Sequence, residues 1–138
     1  MHNGTVAVVA CTGMGKALAS VGRHAALLLT DDMRPNDTVN VCLPCICGKQ
    51  EDAINSIETH PVLVIDGCAD TCAMKLVKRI DEANVIDHLK IWRVMAKHKG
   101  LKPETRANIG PAGIELAKNV AREASNAINR YISSNQDD

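Results

Sequence analysis

The chain has 138 residues with sixteen basic and sixteen acidic side chains, so no net field draws it to nucleic acid or an anionic membrane. Its aromatic share is 1%, Trp92 and Tyr131 without any Phe, which denies single-stranded nucleic acid its stacking platforms. No apolar run approaches the roughly 20 residues that span a bilayer. MHNGTVAVVACTG, at the start, lacks the basic opening and long apolar run of a signal peptide. The expectation is one cytoplasmic domain over residues 1–138, with a core built from Ala, Val, Ile and Leu.

In chain order, TVAVVA (residues 5–10) predicts a strand covered on both faces, followed by the turn CTGMG. Leu18, Val21, Ala25 and Leu28 recur at helical spacing over residues 16–29, and DDMRPNDT is a polar loop. VNVCL (residues 39–43) predicts a second strand, ended by Pro44 because proline has no ladder donor. A short helix over residues 49–58 carries Ala53, Ile54 and Ile57 on one side. The third strand, residues 62–66, stops at Gly67. Asp70 or Thr71 is then placed to cap a helix bearing Ala73, Leu76, Val77 and Ile80. HLKIWRVM, about residues 89–94, reads locally as either helix or strand, and the alternating rhythm of the chain predicts the fourth strand there. Pro111 opens a long helix whose buried stripe is Leu116, Val120, Ala124, Ile128 and Ile132, and the tail SSNQDD is expected to fray. The β-α alternation implies an α/β fold of three layers. It has about four parallel strands in the flavodoxin-like order 2-1-3-4, with helices on both faces.

Six cysteines stand at 11, 42, 45, 47, 68 and 72. In a reducing compartment, and in a chain large enough to have its own core, such a set points to metal binding or redox chemistry rather than a disulfide framework. Their placement is informative. Cys11 follows strand 1, Cys42 lies near the end of strand 2 with Cys45 and Cys47 in the loop beyond, and Cys68 follows strand 3 after one glycine. In the order 2-1-3 these are the carboxyl ends of adjacent strands, about 4.8 Å apart, where the reversal of strand order opens a ligand crevice. Cys72 falls in the first turn of the next helix. Helix amino termini are expected to stabilise thiolates and lower their pKa. Four thiolates suit one zinc ion in tetrahedral coordination, and sulfur-only donors select zinc or an iron–sulfur cluster over hard cations.

Other chemistries fit less well. CTGMGK lacks the residues of a nucleotide-phosphate loop, since Ala10 and Ala17 stand where Gly and Ser or Thr are required. Leu18 replaces the third glycine of a dinucleotide fingerprint, and Ala17 stands where a cysteine phosphatase loop needs arginine. A thiol-redox enzyme using Cys11 with Cys68 or Cys72 remains open. His60 and His88 are expected before strands, at the far end of the sheet, and His24 inside a helix. His98 is the histidine best placed to approach the cleft. Asp66, before Gly67, is expected to organise the turn by accepting backbone N–H bonds.

Cys11-Thr12-Gly13, Cys42-Leu43-Pro44, Asp66-Gly67-Cys68 and Cys72-Ala73-Met74-Lys75 together resemble the small prokaryotic domain named after its Asp-Gly-Cys (DGC) motif. The resemblance runs over about residues 6–77. It implies zinc bound by four cysteines, here Cys11, Cys42, Cys68 and Cys72, and it implies no particular activity. Cys45 and Cys47 are additions to that pattern and stand as alternates for Cys42. The partner expected on these grounds is a metal ion.

Overall fold

Val6, Val8 and Ala10 alternate with Ala7 and Val9 along β1 (Val6–Ala10), and all five are buried. Side chains of a strand point alternately to its two faces, so both faces of this strand are covered. In the computed structural model, which describes residues 5–136, β1 is an inner strand of one parallel sheet ordered β2-β1-β3-β4. The others are β2 (Thr38–Val41), β3 (Pro61–Asp66) and β4 (Asn84–Lys90). Val9 pairs with Val41 on one side and Val64 on the other, and Ile65 pairs with Leu89. The expected strand order is the observed one.

The helices divide between the two faces. Val6, Val8, Ala10, Leu63 and Ile65 pack with α1 (Ala17–Leu27), α5 (Ile91–Lys97) and α6 (Gly110–Gln136). Ala7, Val9, Val62 and Val64 pack on the opposite face with α2 (Leu43–Cys47), α3 (Glu51–Thr59) and α4 (Cys72–Val77). The α6 stripe is as expected: Leu116, Val120, Ala124 and Ile128 are fully buried, with Ile132 at its partly buried end. The helix runs on through Gln136, and Asp137 and Asp138 lie outside the described residues. Among the described residues, no helix is long and apolar enough to cross a membrane.

Three elements differ from expectation. The fourth strand is Asn84–Lys90, and Ile91 to Val94 of the anticipated strand lie in α5 instead. β4 lies at the sheet edge, so most of it is only half buried, and a bulge opposite Val62 and Leu63 interrupts its alternation. Pro44 ends nothing. It sits in the first turn of α2, where its missing N–H would have had no helical partner, so Cys45 and Cys47 lie on a helix rather than in a loop. Finally, α1 continues beyond Leu27 into a π-type turn, Leu28–Met33, closed by the Arg34 N–H donating to the Leu29 carbonyl at 2.8 Å. Arg34 then ties this corner down. Its guanidinium pairs with Asp37 at 2.8 Å and donates to Ser125 and Asn129 of α6.

Candidate functional site

Each of the three adjacent strands β2, β1 and β3 delivers a cysteine just past its carboxyl end. Cys11 follows Ala10, and its N–H still donates to the Ile65 carbonyl at 2.9 Å, so the sheet holds its backbone in place. Cys42 follows Val41 and is the residue before α2. Cys68 stands two residues past Asp66, and Cys72 is the first residue of α4. Parity decides the direction. Cys11 continues the face of Ala7 and Val9 and packs with Cys45 and Met74 against the core on the α2–α4 side. All six thiols are free, and none lies inside a strand.

Asp66 organises this edge. It is fully buried, accepts the N–H groups of Ala73 at 3.0 Å and Met74 at 3.2 Å, and has His88 Nε2 2.7 Å from its carboxylate. The turn-organising role expected of Asp66 is therefore the observed one, but its reach is longer. It caps α4 from seven residues upstream, whereas Asp70 and Thr71 make no side-chain cap. Thr71 adopts the left-handed conformation, with φ of 49°, and Asp70 instead lies 3.8 Å from Lys16 Nζ and 3.7 Å from Cys68 Sγ.

His88 is the residue that sequence reasoning misplaced. With β4 at Asn84–Lys90 it sits inside the strand, opposite Val64, on the same face as Val64 and Asp66. The signal was present in the sequence: starting the strand at NVIDHLK puts His88 and Asp66 on one side of neighbouring strands. His24 is exposed on α1, His60 precedes β3 as expected, and His98 ends α5.

Gly67 has a steric reason. A Cβ there would meet the α1 backbone at 2.8 Å from Leu18 C and 2.9 Å from Ala19 N. The β3–α4 turn and the start of α1 are thus in direct main-chain contact, and only glycine fits between them.

The electrostatics also differ from expectation. The Cys11 thiol is pushed above its ordinary value, first by burial and then by the charges of Asp66, Cys72 and Cys68, with a hydrogen bond from the Gly13 backbone pulling the other way. The α4 N–H groups expected to stabilise thiolates are occupied by Asp66. Cys45 is also raised, chiefly by its hydrogen bond with Cys42 and then by burial and the Cys42 charge. Cys47 faces elsewhere, into a groove shared with Ile54, Leu76 and Ile80. Among the described residues, no three Cys, His, Asp or Glu side chains stand close enough to hold a metal as they are placed.

A parallel sheet ordered 2-1-3-4 with thiols at the carboxyl ends of three neighbouring strands defines a class, a cysteine-edged α/β domain. Among known families, residues 7–131 match the DGC domain, and the chain belongs to that family. The match extends past residue 77, where the recognisable motifs stop, to take in β4, α5 and most of α6. His88 therefore lies within the family's extent. No curated protein and no solved structure matches the chain.

Proposed function

We propose that the domain binds a soft divalent metal ion, zinc, through Cys11, Cys42, Cys68 and Cys72 at the carboxyl edge of the sheet. The observation that carries this reading is the placement of the thiols. Cys42, Cys11 and Cys68 stand just past the carboxyl ends of the adjacent strands β2, β1 and β3, and Cys72 opens the helix that follows. Ionising these thiols accumulates negative charge that a bound cation would relieve. Sulfur donors suit zinc in both chemistry and number.

The side chains would have to draw together to complete coordination. Residues 12–16 are exposed, and a Cβ at Gly15 would meet nothing within 4 Å, so the β1–α1 loop can move with little packing to lose. Cys45, three residues after Cys42 and within α2, is the alternate nearest to it along the chain, while Cys47 lines the groove on the α3–α4 side.

Elemental analysis of protein purified under reducing conditions, with thiol titration before and after a chelator, tests the reading. About one zinc per chain, with thiols protected until the chelator is added, is the expected result. Metal-free protein with six independently reacting thiols, or brown protein holding iron and sulfide, overturns it. A rapid reversible Cys11–Cys68 or Cys68–Cys72 disulfide in metal-loaded protein would instead make it a redox enzyme.

A further inference from the structure

On the other side of the β1–α1 loop from the thiols, a cleft of about 680 Å³ opens between α1 and the loop that leads into α6. Its ionisable lining is basic. Arg23 and His24 come from α1 and Arg106 from the loop, with the hydroxyl-bearing Thr12, Ser20 and Thr105 around them, and among the described residues no Asp or Glu lines it. In a chain of zero net charge this is local segregation rather than a global excess. Among the described residues neither arginine forms an ion pair. Glu104, the acidic residue nearest Arg106 in sequence, is turned away against Gly110.

The loop is held over the cleft at both ends of Arg106. Ser20 Oγ donates to the Arg106 carbonyl at 2.7 Å, and the Arg106 guanidinium donates to the Met14 carbonyl at 3.3 Å. One N–H of the guanidinium is thereby used, and its other donors remain for a ligand. The loop itself is a closed turn, with Thr105 and Asn108 hydrogen-bonded to each other through both backbone and side chain. The remaining walls include Ala19, Ala107 and Ile109, and among the described residues no Phe, Tyr or Trp lines the cleft.

We propose that this cleft is a binding site for a small oxyanion, a phosphate or carboxylate group, free or carried on a short carbon skeleton. Two guanidiniums with no carboxylate partner recognise such groups by charge-assisted, forked hydrogen bonds, and the volume lies in the range of small-molecule sites. None of the six cysteines lines it, although the β1–α1 loop borders both places.

Calorimetric titration of the intact chain with inorganic phosphate, pyrophosphate and succinate, against chloride at matched ionic strength, provides the test. Saturable binding of at least one probe is expected. Arg23→Gln and Arg106→Gln should each weaken it about tenfold or more, while Lys118→Gln on the exposed side of α6 leaves it unchanged. Preference for the phosphates or for succinate identifies which oxyanion the site takes. Cys68→Ser should keep this binding whatever happens to zinc, which separates failure of the cleft from failure of the metal site. The proposal is overturned if none of the probes binds beyond chloride, if both arginine variants bind like the wild type, or if Lys118→Gln loses as much as they do.

Discussion

His88 and Asp66 meet across the β3–β4 pair, Nε2 to carboxylate at 2.7 Å, and this contact links the edge strand to the turn that carries Cys68 and Cys72. The same carboxylate holds the first free N–H groups of α4, so one buried side chain joins two strands and a helix. A six-residue helix has little intrinsic stability, which makes a cap from outside the helix a condition of its position.

Removing the histidine leaves that carboxylate short of a partner. His88→Ala is expected to lower the unfolding free energy by about 1–3 kcal/mol. His60→Ala, whose ring makes contact only at the exposed end of α3, should change it by less than about 0.5 kcal/mol. Urea denaturation of the two variants measures both, and equal losses would show that the Asp66 contact has no special weight.

Gly67 and Gly15 should respond oppositely to the same methyl group. Gly67→Ala forces Cβ to within 2.8–2.9 Å of the α1 backbone, and a loss at the upper end of the overpacking range, about 3 kcal/mol, is expected. At Gly15 a Cβ would meet nothing within 4 Å, so Gly15→Ala should be neutral or gain up to about 1 kcal/mol by restricting the unfolded chain. Thermal melting of the pair separates a steric requirement from a general cost of losing glycine.

Zinc content should depend on the cysteines unevenly. Cys11→Ser, Cys42→Ser, Cys68→Ser and Cys72→Ser should each reduce it to near zero while leaving far-ultraviolet circular dichroism intact, because the thiols at most border the aliphatic core. Cys47→Ser should keep it, since that side chain faces the α3–α4 groove. Retention in Cys42→Ser combined with loss in Cys45→Ser would move the ligand three residues along α2.

Metal-free protein should weaken in alkali. Folded Cys11 holds its proton to a higher pH than an unfolded thiol does. The native state therefore binds more protons as pH rises through and above the ordinary thiol range, about 8.5, and stability falls across that window. Below it the contribution is fully present. Denaturant midpoints at pH 7 and pH 10 should differ less in Cys11→Ala than in the wild type. Alkylation of Cys11 at pH 7 should also be slower than that of an unfolded thiol.

Much of this architecture was legible in the sequence because the inner strands are simple. TVAVVA and PVLVID are apolar on both faces and bounded by turn residues, so β1 and β3 and the cysteines beyond them could be placed directly. The edge strand was harder. In NVIDHLK the polar Asp87 and His88 sit in a half-buried strand with a bulge, and the denser apolar run IWRVM next to it belongs to a helix. That shift hid the Asp66–His88 contact, which depends on strand register rather than on local pattern. The cap on α4 was hidden for a related reason. Capping rules look one to three residues from the helix, whereas Asp66 acts through the intervening turn.

β1 has partners on both sides, and both come later in the chain. Val6–Ala10 cannot be paired until Thr38–Val41 and Pro61–Asp66 have been made. Parallel pairings at such separation form slowly, because long loops must close before any contact compensates. During that interval the thiols of Cys42, Cys45 and Cys47, close together in sequence, meet one another far more often than they meet Cys11 or Cys68. The strand order therefore makes correct assembly of the cysteine edge a race between sheet formation and local oxidation. Refolding yield should rise steeply with reductant in this protein, and Cys45→Ser, which removes the thiol nearest in sequence to both others of that cluster, should flatten that dependence.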